Sequence, residues 1–356
     1  MPFIHLDNIA ITGISACVPE KKQLNSELTH LFSSKEELDK MINVIGIKER
    51  RIARADICAS DLCFNAADKL LNDLQIDRST IDVLLFMSQT GDYKIPATAP
   101  ILQDKLGLSQ KTICFDIGLA CSGYVYALTT AAAYLNLPGI KRVLLLDGET
   151  FSKIIYEEDK TNAPLYGDAG SATLLEKQDD CPFYSELCTD GSGWAAVNIK
   201  AGGCRNVADR HSMEIKTRED GSLGSDLHVY MNGVDVFNFT MRVVPRGVKD
   251  VLQQAGLSLE NIAYVIFHQA NKFMTDFFAK KLKCPPSKVP YSLDRYGNTS
   301  SSTIPLTIAS ELREWVNNKS DHPDKKVLLS GFGAGLSWGT VVTDLSHCYI
   351  PKLLEI

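Results

Sequence analysis

The sequence predicts an α/β protein built from two similar halves. Two observations carry this prediction. Short runs rich in Val, Ile and Leu alternate with longer segments of helical spacing, the pattern of strands covered on both faces by helices. The order of the first half then recurs in the second at a nearly constant offset.

The elements follow in order. Residues 81–87 (IDVLLFM), 142–146 (RVLLL), 263–267 (AYVIF) and 326–329 (KVLL) read as buried strands. Helical spacing marks 60–74, where Leu62, Ala66, Leu70 and Leu74 share a face and Ser60 is the expected N-cap. It also marks 125–135, 241–255 and 307–316. The strand ending at Met87 has a counterpart ending at His268, and the loop-to-helix junction at Cys121 has one at Ser302. Val143 opens a strand echoed at Val327. The expected organisation is a first half over 1–178, a second over 225–356, and an irregular connection over 179–224 that carries hairpins.

Composition narrows the function classes. Of the 356 residues 45% are hydrophobic and 22% charged, which suits a globular chain and excludes wholesale disorder. The net charge of −6 argues against a general nucleic-acid binder. The first residues show no secretory signal, and no apolar run is long enough to span a membrane. None of the ten cysteines forms a C-x-x-C pair, so zinc and thioredoxin-type readings are weak. Free thiols in a reducing cytoplasm are the expectation.

Three segments carry possible chemistry. In 116–124 (DIGLACSGY) a strand ends and a long Ala-rich helix begins, which places Cys121 at a helix N-terminus. The helix dipole and free N–H groups there favour a thiolate and predict a lowered thiol pKa. They also suit an oxyanion. In 267–271 (FHQAN) an apolar strand ends in a polar cluster led by His268; ligand sites gather at such strand ends. In 294–303 (DRYGNTSSST) Asn298 precedes a run of hydroxyls, which taken alone reads rather as turn and N-cap chemistry. Residues 330–339 (SGFGAGLSWG) do not match a phosphate loop; their glycines suit close backbone approach. Residues 166–175 (YGDAGSATLL) read as a structural turn entering a strand.

Taken together, these segments resemble the β-ketoacyl-acyl-carrier-protein synthase III family of the thiolase superfamily. The landmarks occur in family order over nearly the whole chain: 46–50 (GIKER), 120–124 (ACSGY), 167–170 (GDAG), 268–271 (HQAN), 297–300 (GNTS) and 331–339 (GFGAGLSWG). The resemblance implies a thiolase-like, internally duplicated, five-layered αβαβα fold and a homodimer. It implies Cys121, His268 and Asn298 as catalytic residues. The backbone N–H groups of Cys121 and Ala334 would form the oxyanion hole, with alanine where the family commonly has glycine. The implied reaction is a decarboxylating condensation. Cys121 takes an acyl group from a thioester, and His268 and Asn298, as neutral donors, hold the carbonyl oxygen of a malonyl-type thioester. Ping-pong kinetics follow, and no metal or cofactor is implied beyond the thioester carrier.

The same comparison separates relatives. Degradative thiolases carry a second cysteine in the C-terminal glycine loop, absent from SGFGAG here. Elongating ketoacyl synthases use two histidines, whereas the third position here is Asn298. Acyl-CoA-using members often place an adenine-stacking tryptophan where this chain has residues 37–41 (ELDKM), and a basic residue where it has Val44. CoA and a carrier protein therefore both stay open as the primer carrier. Residues 93–96 (YKIP) align with a loop that reaches the partner subunit's pocket, with Ile95 replacing a common phenylalanine. The implied acidic acyl carrier protein would meet a basic patch, for which Lys272, Lys280, Lys281 and Lys283 on the helix after His268 are the candidates. Transfer of the acyl group to an alcohol or amine is the second reading. A non-catalytic partner subunit is the third, and retention of the cysteine argues against it.

Overall fold

The computed structural model describes residues 3–318 and 325–356. Two sheets organise them. The first has the order Leu354–Glu355, Ile9–Val18, Ala169–Lys177, Arg142–Glu149, Val83–Met87, Ile113–Ile117. The second has the order Phe3–Leu6, Phe183–Thr189, Ser337–Asp344, Lys326–Gly333, Tyr264–Phe267. In the second sheet the antiparallel run gives way to parallel pairing at one side, and in the first at both, since Leu354–Glu355 pairs parallel with Ile9–Val18. The Val83–Val143 rung of the first sheet recurs as Tyr264–Val327 in the second. The duplication expected from sequence is thus present at the level of individual rungs.

Helices fill three layers around the two sheets. Gly123–Leu135 and Thr303–Glu311 lie between the sheets and share one core with both. Ala59–Asp73 and Thr98–Lys105 cover the outer face of the first sheet. Gly233–Gln254 and Lys272–Leu282 build the outer layer over the second. The central helix Gly123–Leu135 is apolar almost all round, as its position demands, and Ala127, Ala131 and Ala132 let the sheets come close. The result is the five-layered α/β thiolase fold.

Several expectations are corrected. Strand Phe183–Thr189 lies within the stretch assigned to an irregular connection and is an interior strand of the second sheet. Its buried Ser185 and Glu186 break the apolar pattern that marks the other strands. The remainder of that stretch does contain a hairpin, with Lys216–Thr217 paired to Leu223–Gly224. The chain ends also cross over, since Phe3–Leu6 joins the second sheet and Leu354–Glu355 the first. Ser60 is not the N-cap of its helix: Cys58 and Asp61 form the capping box, and Ser60 Oγ donates to Asp92 at 2.8 Å. The helix expected over 241–255 begins at Gly233, capped by Asn232; packing of Phe239, Val243 and Val244 overrides the weak local propensity of its first turns. The helix expected over 307–316 starts at Thr303 and breaks at Leu312. Pro305 sits in its first turn, where no N–H is needed. Lys283 leaves the lysine-bearing helix as its left-handed C-cap.

Among the described residues no helix is long and apolar enough to cross a membrane. Among the described residues no two cysteines form a disulfide.

Candidate active site

Strand Ile113–Ile117 delivers the chain to a tight turn, and Cys121 stands two residues before helix Gly123–Leu135 begins. The glycine-rich hairpin presses against this turn. A Cβ on Gly333 would lie 2.8 Å from Cys121 Cβ, and one on Gly331 3.2 Å from Ser122 Cα. Those glycines therefore serve close backbone approach. Ser337 Oγ donates to Ala334 O at 2.8 Å and so accepts from Ser122 Oγ at 2.6 Å. This relay ties the residue after Cys121 to the hairpin that carries Ala334.

His268 continues strand Tyr264–Phe267 by one rung, its N–H donating to Ser330 O at 2.8 Å. Asn271 caps the helix that follows by accepting from Met274 N at 2.9 Å. Asn298 arrives from a separate loop. Its backbone bridges Tyr166, and its Oδ1 accepts from Ser300 N at 2.9 Å. With Oδ1 fixed in this way, the amide presents Nδ2 as a donor to the cavity.

Cys121, His268, Asn298 and Ala334, all singled out from sequence, line one cavity of about 470 Å³. A larger cavity of about 950 Å³ lies across the Asn198–Ile199 wall and contains none of the four. Its Arg218 is committed to the Ser225, His228 and Val229 carbonyls. The chemistry belongs to the smaller cavity, where the reactive groups converge.

The electrostatics differ from the expectation for Cys121. Burial pushes its thiol up to about 12, a bond to Ser300 opposes this, and the Glu149 carboxylate adds to it. The enclosure therefore outweighs the helix N-terminus, and the resting group is a thiol in need of a base. Burial pushes His268 down to about 3, so its imidazole is neutral. Its Nδ1 lies 2.7 Å from Thr303 Oγ1, and that hydroxyl donates onward to Ser300 O at 2.9 Å. Thr303 must then accept from Nδ1–H, which leaves Nε2 as the unprotonated nitrogen. Phe332 packs edge-on against the ring, 5.1 Å between centroids.

Sequence reasoning missed five contributors. Ser300 holds a left-handed φ of 54° and sets its Oγ 3.6 Å from Cys121 Sγ. Thr303 sets the imidazole tautomer. Tyr166, read as part of a structural turn, lines the cavity. Beneath the site, Asp147 accepts from Ser301 and Ser302 at 2.5 and 3.0 Å, and Glu149 accepts from Gln89 N and Thr90 Oγ1 at 3.1 and 2.7 Å. Burial raises these carboxyls to about 7 and about 8. The signal available for this pair was two carboxylates closing an apolar strand. Asp168, by contrast, is structural as expected, accepting from Ala53 N and from Ser152 N and Oγ.

The carrier-binding candidates Lys272, Lys280 and Lys281 do not line the cavity. They are exposed on helix Lys272–Leu282, and Lys272 pairs with Asp276. Residues 37–41 fall in helix Lys35–Ile45, beside a shallow cavity of about 330 Å³ lined by Phe32, Met41 and Lys160.

A thiol, a neutral imidazole and an amide donor at the strand ends of a duplicated thiolase fold define an acyl-transferring enzyme. Comparison with known sequences gives the family. Residues 115–191 match 3-oxoacyl-(acyl-carrier-protein) synthase III, and residues 252–345 match the C-terminal part of the same family. A putative 3-oxoacyl-(acyl-carrier-protein) synthase 3 of Campylobacter jejuni is 35% identical, over 98% of this chain and 97% of its own length. A β-ketoacyl-(acyl-carrier-protein) synthase III of Rhodopirellula baltica is 34% identical, over 95% and 99%. The crystal structure of a Burkholderia xenovorans 3-oxoacyl-(acyl-carrier-protein) synthase superposes with a TM-score of 0.92 at 34% identity, over 100% of this chain and 99% of that one. The chain belongs to the 3-oxoacyl-acyl-carrier-protein synthase III family of condensing enzymes.

Proposed function

We propose that this enzyme condenses an acyl primer with a malonyl-type thioester through an acyl group held on Cys121. The observation that carries the reading is the convergence of Cys121, His268, Asn298 and Ala334 on one cavity. In the first half-reaction His268 Nε2 takes the thiol proton as Cys121 sulfur attacks the thioester carbonyl. The Cys121 and Ala334 N–H groups hold the oxyanion. The carrier thiolate leaves and takes the proton from His268. In the second, the malonyl carboxylate leaves as CO2, and its bonding pair forms an enolate whose oxygen Asn298 Nδ2 holds. The tautomer revises the neutral-donor role expected of His268, because Nε2 donates only after taking a proton. An entering malonyl anion favours that protonated state. The enolate carbon attacks the acyl carbonyl, Cys121 sulfur leaves, and the proton on Nε2 restores the thiol. One proton is taken up per turnover, which balances the lost carboxylate.

These steps use only side chains, backbone N–H groups and the two thioesters, with no metal or cofactor. Lys272, Lys280 and Lys281 are offered as the docking surface for an acidic carrier protein. Exposed Tyr93 and Ile95, and the edge position of strand Ile113–Ile117 in the first sheet, support a homodimer. Acyl transfer to an alcohol or amine is the alternative, and the Asn298 donor favours condensation.

Intact-protein mass spectrometry after exposure to acyl-CoA and acyl-carrier thioesters tests the reading, with Cys121→Ala in parallel. The expected result is an acyl mass on the wild type alone, discharged by a malonyl thioester with release of CO2. Acylation of both proteins, or of neither, overturns it.

A further inference from the structure

Tyr166 places a hydroxyl in the acyl chamber that the protein itself barely satisfies. The residue is 4% exposed, and its ring stacks on Phe151 with centroids 4.9 Å apart. Among the described residues its hydroxyl has one partner, Met231 Sδ at 3.7 Å. A thioether is a weak acceptor, so the phenol proton is available for a stronger one. The direction of the side chain is set by backbone pairing. Tyr166 and Asn298 form an isolated parallel bridge, and both line the catalytic cavity. Gly167, next in the chain, admits no Cβ there, because Tyr296 O would lie 2.1 Å away. The hydroxyl is therefore held in place by the same contact that places Asn298.

The side chains packed with it are apolar: Phe151, Ile154, Val197 and Val229 surround the ring and line the chamber, as does Met231 of the small ribbon. Ser88, Gln89 and Asn198 supply polar lining to the same cavity. A plain alkyl chain packed there would bury the phenol against hydrocarbon, at the cost of an unmade hydrogen bond. An oxygen on the chain would meet it. Sites built to bond a substrate oxygen reject analogues without one far more strongly than apolar pockets reject a missing methylene.

We propose that the acyl primer carries a hydrogen-bond-accepting oxygen along its chain, as a hydroxyacyl or oxoacyl group, and that Tyr166 selects it. The inference rests on the reading that Cys121 accepts the primer. The test follows the rate of Cys121 acylation by mass, using the octanoyl thioester and a series of its hydroxy and oxo derivatives, on the wild type and Tyr166→Phe. The wild type should take at least one oxygenated chain about ten-fold faster than octanoyl. Tyr166→Phe should erase that preference by gaining octanoyl and losing the oxygenated chain, with an unchanged melting temperature as the check on folding. Equal rates for octanoyl and every derivative on the wild type overturn the proposal, as does a preference that survives in Tyr166→Phe. Labelling of Cys121 by no thioester at all overturns the condensing reading itself, and the selection with it.

Discussion

Cys121 and His268 are both neutral, for one reason: burial penalises whichever form is charged. Proton transfer between them is then directed by the hydroxyl of Thr303, which assigns the imidazole its tautomer. Thr303→Val removes the acceptor from Nδ1. Condensation should fall about a hundred-fold, within the range general acid–base catalysis supplies, with a changed pH profile, while Thr303→Ser retains most activity. Steady-state rates across pH decide it, and a valine variant with wild-type rate and profile contradicts the assignment. Glu149 makes a second prediction. Its carboxyl is raised from the ordinary 4.5 to about 8 by burial. Between those values the folded protein keeps a proton that the unfolded chain has lost, so stability falls as pH rises through the window. Glu149→Gln removes that share. The melting temperature of the variant minus that of the wild type should therefore climb from pH 5 to pH 8; a constant difference means the glutamate holds no proton there.

At the level of elements, most of the architecture was legible because strands buried on both faces have no polar residues to hide them. The runs that became Val83–Met87, Arg142–Glu149, Tyr264–Phe267 and Lys326–Gly333 were visible for that reason. Phe183–Thr189 was not, since Ser185 and Glu186 interrupt it. Cys121 and His268 were legible by position, one at the start of a helix and one at the end of a strand, whereas Asn298 stands in a loop and was legible only through the resemblance. Tyr166, Ser300 and Thr303 were not, because what they do depends on tertiary meetings of segments distant in sequence, from 35 residues for Thr303 and His268 to 179 for Ser300 and Cys121. The meeting point can be tested at Gly167, whose N–H donates to Asn298 O at 3.1 Å. Gly167→Ala would drive a methyl into Tyr296 O. A loss of about 1–3 kcal/mol in chemical denaturation is expected, as for other overpacked sites, with slower condensation because Asn298 shifts. Unchanged stability and rate would show that the loop yields without consequence.

For the molecule as a whole, the two sheets cannot be separated without opening one core. Val125, Leu128, Ile304 and Ile308 from the central helices pack with Val83 and Leu145 of the first sheet and with Val327 and Val341 of the second. Each such side chain contributes roughly 1.5–3 kcal/mol when buried, so either half alone would expose a face it needs covered. The crossed chain ends add to the interlock: Arg51 pairs with Glu355 at 3.0 Å, and Glu20 N donates to Ile356 O at 2.7 Å. Scanning calorimetry should show one cooperative transition. Two resolved peaks would mean the halves are independent.

The cysteine thiols bear on how the enzyme is assayed. Cys204 is the exposed one, on a surface loop, whereas Cys121 lines the catalytic cavity with its proton retained. A maleimide or disulfide reagent added to native enzyme will therefore count Cys204 first. Titrating active sites by bulk thiol reactivity would score an inert surface sulfur as a competent nucleophile, and Cys204→Ser is the background on which such a titration reports the catalytic one.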